Sequence, residues 1–391
     1  MQPAEPSPSI PEPAALAGAR VNVLDCDRAG LGRLLGDLGE KPWRSTQIMR
    51  WVYHERHAAY GGMTNIGKVL RGKLESATEI RAPEVVLDHL SADGTRKWVM
   101  QVDAGNRVET VFIPEPDRGT LCVSSQVGCA MACGFCATAT QGFSRNLSTA
   151  EIIGQVWRAA EALEHHPHDN RRITNVVMMG MGEPLMNFDN VVRAMDLMMD
   201  DCAYGLARKR VTLSTAGIVP AIDRLREVSG VSLAVSLHAT DDALRDRLMP
   251  INRTYPIAEL LAACRRYATL DPHRSITFEY VMLDGVNDSP AHARALARLL
   301  RGMPAKVNLI PFNPFAGAGF RRSPQPVIDA FREVLRALGL ICITRRTRGD
   351  DIDAACGQLV GKVMARAARH RADAVPRDVP LAAAFPEVHA G

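Results

Sequence analysis

At 391 residues the chain is longer than one typical domain and can bury a large core, and 47% hydrophobic with 23% charged residues is ordinary composition for a water-soluble protein. A net charge of +4 is only weakly basic, so any binding of nucleic acid has to come from local patches and not from the field of the whole molecule. No apolar run reaches the ~18 residues of a membrane span, and the start (Pro3, Glu5, Pro6, Pro8, Pro11, Pro13) lacks the charged-then-apolar order of a secretory signal. The expectation is a cytoplasmic protein with no membrane role. Nine cysteines, an odd number spread unevenly, argue against a secreted disulfide framework and for a reducing compartment that keeps them as thiols.

Residues 1–20 are rich in Pro and Ala without apolar periodicity and read as a disordered leader. From 21 to 85 the pattern turns helical, with Leu31, Leu34 and Leu35, then Ile48, Trp51 and Val52, then Ile66, Val69 and Leu74, which predicts a small helical accessory domain. Its Lys41-Pro42-Trp43-Arg44 turn and Lys68, Arg71 and Lys73 suit either phosphates or a solvated face. Residues 86–118 alternate polar and apolar around Asp93-Gly94 and Gly105-Asn106, which predicts short antiparallel strands at 97–102 and 108–113 as a lead-in.

From 119 to 350 strand and helix alternate. Apolar runs at 121–126, 174–179, 210–214, 232–237, 276–282, 306–310 and 340–345 are separated by helical stretches such as 149–164, 256–268 and 290–302. This is an α/β pattern with a parallel sheet and right-handed crossovers. Six or so units without a second Gly-rich nucleotide fingerprint favour a partial (β/α)6 barrel over a doubly wound sheet, and in either fold the site lies at the strand C-terminal ends. Gly182-Glu183-Pro184, Ser214-Thr215, Ser236-Leu237-His238 and Pro311-Phe312-Asn313-Pro314 stand just where such strands stop, so they can converge on one mouth. Residues 351–391 carry Cys356 and a C-terminal extension.

The sharpest chemistry lies in Cys129, Cys133 and Cys136, spaced C-x3-C-x2-C on a loop after a strand. Three thiolates on a four-iron cluster leave one iron open to chelate a small molecule through an amine and a carboxylate. Zinc is the competing reading. It normally takes a fourth Cys or His nearby, and none follows Cys136 until His165.

The triplet, in Gly128-Cys129-Ala130-Met131-Ala132-Cys133-Gly134-Phe135-Cys136, resembles the signature of the radical S-adenosylmethionine enzymes. Leu121-Cys122-Val123-Ser124-Ser125-Gln126-Val127 before it, Met179-Gly180-Met181-Gly182-Glu183-Pro184-Leu185 after it and Asp353-Ala354-Ala355-Cys356-Gly357-Gln358-Leu359 near the end narrow the likeness. Together they resemble the dual-specificity adenine carbon-2 methyltransferases of ribosomal and transfer RNA, from about Asp27 to Leu359. The resemblance implies a partial barrel of radical S-adenosylmethionine type, a [4Fe-4S] cluster on Cys129, Cys133 and Cys136, and two S-adenosylmethionine molecules consumed per methylation. It also implies 23S ribosomal RNA and transfer RNA as partners, an unidentified electron donor, and an RNA-binding role for the N-terminal domain.

The same resemblance implies roles for single residues. Cys356 would be methylated first and would then carry the methyl as a radical to the base, and Cys122 would release the product through a transient disulfide with Cys356. Glu109 would accept the carbon-2 proton, and Gly182, Glu183, Ser214, Ser236, Leu237, His238 and Asn313 would contact S-adenosylmethionine. From the residues alone, Glu109 is an exposed strand carboxylate, and Ser214 and Asn313 suit helix capping as well. Cys26, Cys202, Cys264 and Cys342 read as buried apolar residues, and His165-His166-Pro167-His168 as a solvated helix end. Arg345-Arg346-Thr347-Arg348, just before the Cys356 loop, reads as a phosphate contact. Two rivals remain: the sister activity at adenine carbon-8, and a non-enzymatic RNA-binding protein clamped by its cluster.

Overall fold

The computed structural model describes residues 20–271 and 275–361, so the leader up to residue 19 and the extension beyond 361 lie outside the described residues. The N-terminal part holds helices α1 (Arg28–Asp37), α2 (Arg44–Tyr53) and α3 (Lys68–Ala77), closed by the short parallel pair β1 (Val21–Asn22) and β2 (Thr78–Glu79). Asp27 starts α1 by accepting the Gly30 amide at 2.6 Å, one of the donors a helix start leaves unmatched. Leu31, Leu35, Ile48, Val52, Ile66 and Leu74 are all buried, as the apolar spacing requires. Val69 is not: it is 75% exposed, and Leu70, one turn before Leu74 on the same face, takes the inward position.

The remaining strands are β3 (Glu84–Leu90), β4 (Arg96–Gln101), β5 (Arg107–Glu115), β6 (Arg118–Cys122), β7 (Gln126–Gly128), β8 (Phe143–Asn146), β9 (Asn175–Met178), β10 (Val211–Thr215), β11 (Ser232–Ser236), β12 (Ile276–Met282), β13 (Ala305–Pro311) and β14 (Ile341–Thr344). All but β7 and β8 form one ten-stranded sheet in the order β14-β13-β12-β11-β10-β9-β6-β5-β4-β3. The pairs from β6 and β9 through β14 are parallel, while β3 to β5 are antiparallel and extend the same sheet beyond β6. The expected lead-in is therefore part of the barrel wall. The 121–126 run is split. β6 ends at Cys122, the Ser124 amide turns aside to Gln155 Oε1 at 2.8 Å, and β7 pairs instead with β8.

Helices α4 (Ala137–Thr140), α5 (Thr149–Ala162), α6 (Phe188–Met199), α7 (Val219–Val228), α8 (Asp242–Leu248), α9 (Ile257–Ala268), α10 (Pro290–Leu299) and α11 (Gln325–Ala337) complete the strand–helix alternation. Ser148 and Glu151 form a reciprocal cap that fixes where α5 leaves the cysteine hairpin. A cavity of about 510 Å³ touches Val111 on β5, Cys122 on β6, Val177 on β9 and Thr212 on β10. It continues past Ala234 on β11, Thr277 on β12 and Asn308 on β13 to Ile343 on β14. The sheet therefore curls around an open interior. This is the partial barrel that the resemblance implies, with its apolar core packed between the sheet and the helices.

Candidate active site

Cys129, Cys133 and Cys136 lie on the loop between β7 and α4 and face a second cavity of about 170 Å³ at the C-terminal ends of the strands. The loop is pinned: the Cys129 amide donates to Gly142 O at 2.8 Å, Gly134 N to Leu248 O at 3.1 Å and Cys136 N to Cys133 O at 3.2 Å. Burial pushes the Cys129 thiol up to about 12 and raises those of Cys133 and Cys136 as well. Such thiols become anions only beside a strong positive charge, which suits metal ligands and not free nucleophiles. The donor set, three soft thiols on one loop, fits an iron–sulfur group.

Opposite the cysteines the cavity is lined by Gly182, Glu183, Ser214, Ser236, His238 and Asn313, so four separate strand ends do converge. Gly182 has φ +99°, and Glu183 is 3% exposed. The Glu183 carboxylate accepts from the Leu185 amide at 3.1 Å and the Ala216 amide at 2.7 Å, and its own amide donates to Gln126 Oε1 at 2.8 Å. Burial nevertheless raises its carboxyl to about 7. His238 is fully enclosed, takes the Val281 amide on Nδ1 at 2.9 Å and stacks edge-on to Phe135 at 4.5 Å. Burial lowers it to about 3, so it is a neutral acceptor. Leu237 differs from its neighbours: its side chain is in the core and it offers the site only backbone.

Cys356 lines both cavities, while Cys122 lines the larger one. The Cys356 loop is tied down by Asn313 Nδ2 on Cys356 O at 3.0 Å, the Ala137 amide on Gly357 O at 2.7 Å and Gln358 Nε2 on Pro314 O at 3.0 Å. Burial raises Cys122 to about 12, with Cys356 close enough to add to the shift. The family model of the radical SAM superfamily matches residues 123–297, and that of the ribosomal RNA large subunit methyltransferase N-terminal domain matches residues 21–80. Two proteins from Stenotrophomonas maltophilia strains K279a and R551-3, each named dual-specificity RNA methyltransferase RlmN, are 58% identical over 92% of this chain and 92% of their own. The chain belongs to the dual-specificity RNA methyltransferases of the radical S-adenosylmethionine superfamily. A crystal structure of a radical SAM methyltransferase from Sphaerobacter thermophilus matches this methyltransferase with a TM-score of 0.81 and 44% identity, covering 87% of this chain and 99% of that one.

Several placements in this methyltransferase differ from the sequence reading. Glu109 is 4% exposed, not a surface carboxylate, because Lys97 Nζ on the neighbouring strand stands 3.8 Å from it and the Val360–Gly361 backbone covers it. Arg345 points into the barrel, donates to Met179 Sδ at 3.8 Å and feels both Cys356 and Glu279. Arg348 pairs with Asp93 at 3.7 Å, which leaves Arg346 as the exposed arginine of the run. His165 is buried and accepts the Ile173 amide, while His166 and His168 pack against His54 of the N-terminal part. Cys202, Cys264 and Cys342 are buried as expected, and Cys26 is half-buried. Lys73 pairs with Glu40 at 2.9 Å, while Arg71 is held by Gly61 O, a neutral acceptor that leaves its charge unmatched. Glu279, 3% exposed with Oε2 unpaired, lines both cavities and drew no notice in the sequence, since it sits mid-strand without a motif.

Proposed function

We propose that this RNA methyltransferase places a methyl group on carbon-2 of adenine in 23S ribosomal RNA and in transfer RNA, with Cys356 as the carrier of that methyl. The observation that carries the reading is the position of Cys356, which alone of the cysteines outside the triplet opens on both cavities: three thiols on one side, Cys122 on the other. Cys129, Cys133 and Cys136 would hold a [4Fe-4S] cluster, and Gly182, Glu183, Ser214, the Ser236–His238 segment and Asn313 would hold S-adenosylmethionine. Bound together, these groups supply methyl transfer and hydrogen-atom abstraction, chemistry that side chains lack and that an electron-poor ring carbon requires.

The chain's own residues do the rest. Asn313 and the Gln358 side chain, which accepts from the Ala355 amide and donates to Pro314 O, hold Cys356 between the cavities. Glu109, beside Lys97 Nζ at 3.8 Å and behind the 360–361 backbone, outside the linings of both cavities, would receive the proton lost from the ring carbon once that backbone moves aside. The Cys122 thiolate then bonds to the Cys356 sulfur as the bond between Cys356 and the RNA-borne carbon breaks; the electron pair leaves with that carbon, which takes up a proton to become the methyl group, and a disulfide remains for an external thiol to reduce. Arg345 stands by both sulfurs and favours the anionic attacker. The base must leave its stack to reach this interior, which suits an RNA loop.

The chain divides by function into an RNA-contacting helical domain at 21–85, a barrel at 119–350 walled on one side by 86–118, and the cysteine loop from 351. Nine cysteines, all unpaired, accord with a reducing cytoplasm, where a one-electron donor protein would serve the cluster. No helix among the described residues is long and apolar enough to cross a membrane. The test is anaerobic turnover of reconstituted protein on 23S and transfer RNA fragments with mass spectrometry of the digested product. 2-Methyladenosine is the expected product; 8-methyladenosine, or no product from cluster-loaded protein, overturns the assignment.

A further inference from the structure

Arg245 on α8 has no solvent exposure at all. Its Nε donates to Leu237 O at 3.2 Å, Nη1 to Asn252 Oδ1 at 3.0 Å, and Nη2 to both Ala216 O at 2.7 Å and Ser236 O at 2.9 Å. Every one of these acceptors is neutral. The two carboxylates of its own helix reach it only through Asn252, whose Nδ2 bonds Asp242 at 3.0 Å and Asp246 at 2.7 Å, and among the described residues no direct ion pair involves Arg245. A buried guanidinium with its hydrogen bonds satisfied but no anion in direct contact is costly, and a further negative charge nearby would offset that cost.

The anion is close by. α8 lies against the cysteine loop, where the Gly134 amide bonds Leu248 O and Cys133 packs on the small core built from Leu244, Leu248, Met249 and Phe312. On α8 Arg245 stands one turn before Leu248, on the face that meets the cysteine loop. A four-iron cluster on three thiolates carries one net negative charge when oxidised and two once an external donor has added an electron.

We propose that Arg245 is the built-in counter-charge of the iron–sulfur cluster, raising its reduction potential, and that its fork holds the ends of β10 and β11 together for S-adenosylmethionine. It is a positioning residue, since it touches neither cavity. The two roles separate by chemistry. A positive charge of any shape serves the first, whereas only a planar fork can bridge Ala216 O and Ser236 O. The inference rests on the cluster assignment above.

The test compares Arg245→Gln and Arg245→Lys with the parent protein, each reconstituted anaerobically, by redox titration followed by electron spin resonance and by the dissociation constant of S-adenosylmethionine. Arg245→Gln should move the reduction equilibrium at least about tenfold toward the oxidised cluster, about 59 mV for a one-electron couple. Arg245→Lys should keep the parent potential while weakening S-adenosylmethionine binding. An unchanged potential in Arg245→Gln, or the same shift in both variants, overturns the proposal. Should Arg245→Gln load no cluster, the iron content decides: retention in Arg245→Lys supports the charge role, and loss in both variants overturns it. A parent protein that loads no four-iron cluster would sink the cluster assignment itself, a different result from either.

Discussion

Replacing Gly182 by alanine should cost far more than the same change at a glycine of similar backbone angle. An ideal Cβ at Gly182 would lie 2.5 Å from Gln126 Cβ, 2.7 Å from its Cγ and 2.8 Å from its backbone nitrogen, and φ there is +99°. The angle alone costs an L-residue about 1–2 kcal/mol, and forcing a methyl against atoms rooted in the backbone of β7 adds roughly 1–3 kcal/mol. Gly339, with φ +84° and nothing within 4 Å, pays only the first part. Urea unfolding of the cofactor-free proteins should therefore show a loss of about 2–5 kcal/mol for Gly182→Ala and about 1–2 kcal/mol for Gly339→Ala. The site should feel the difference too. Gln126 Oε1 holds the Glu183 amide and its Nε2 holds Asn146, so displacing Gln126 shifts Glu183 and weakens S-adenosylmethionine binding in Gly182→Ala alone. Equal losses of stability in the two variants, or unchanged cofactor affinity in Gly182→Ala, would refute the close-approach argument.

Cys122→Ala should accumulate RNA covalently joined to Cys356, seen as a nuclease-sensitive gel shift, whereas Cys356→Ala should show neither the adduct nor methylated RNA; normal product release by Cys122→Ala would return Cys122 to the role of a buried strand residue. Cys133→Ala should lose most of the reconstituted iron and all cleavage of S-adenosylmethionine, and iron content measured beside the parent protein checks it. Glu183 holds its proton more tightly folded, at about 7, than at the ordinary carboxyl value of 4.5, so the folded state binds more protons between those values and stability must fall as pH rises through that window. Urea unfolding of cofactor-free protein should record a decline of roughly 3 kcal/mol from this group, absent in Glu183→Gln; a parallel slope in that variant would show that another group titrates. Arg346→Ser should weaken RNA binding and flatten its salt dependence with the methylated position unchanged, and a filter-binding series across salt concentrations would expose an unaltered slope.

The parts of the fold legible in the sequence are those where local pattern and tertiary outcome agree. The helix expected at 149–164 is α5 at Thr149–Ala162, and the run at 276–282 is β12, because the first has a capping box and 3.6-residue periodicity and the second is enclosed in the sheet. Disagreement arises where a distant element decides. The 121–126 run opens with the apolar Leu121-Cys122-Val123, but its second half is polar, and Gln155 on α5 captures the Ser124 amide and carbonyl and takes the chain out of the sheet. Val69 and Leu70 are equally apolar, and only the angle at which α3 meets its neighbours selects Leu70.

The same distinction governs the site. Cysteines, glycines and strand-end polar residues announce themselves by type and spacing, and the cavities collect all of them except the Leu237 side chain. Charged residues do not, because a buried charge is defined by partners that a local window cannot contain. Glu109 becomes interior only when Lys97, twelve residues back, and the 360–361 backbone, some 250 residues on, close over it. Arg345 and Arg346 are adjacent and identical in type, just past the end of β14, yet Arg345 is set beside Cys356 and Cys122 while Arg346 is exposed. A run of arginines beside a catalytic loop is therefore two populations, and the inward one is held by the charges it faces. Arg245 carries the argument to its limit. With no motif, no exposure and no direct ion pair among the described residues, it can be understood only once the fold has set its helix against the loop that carries Cys133.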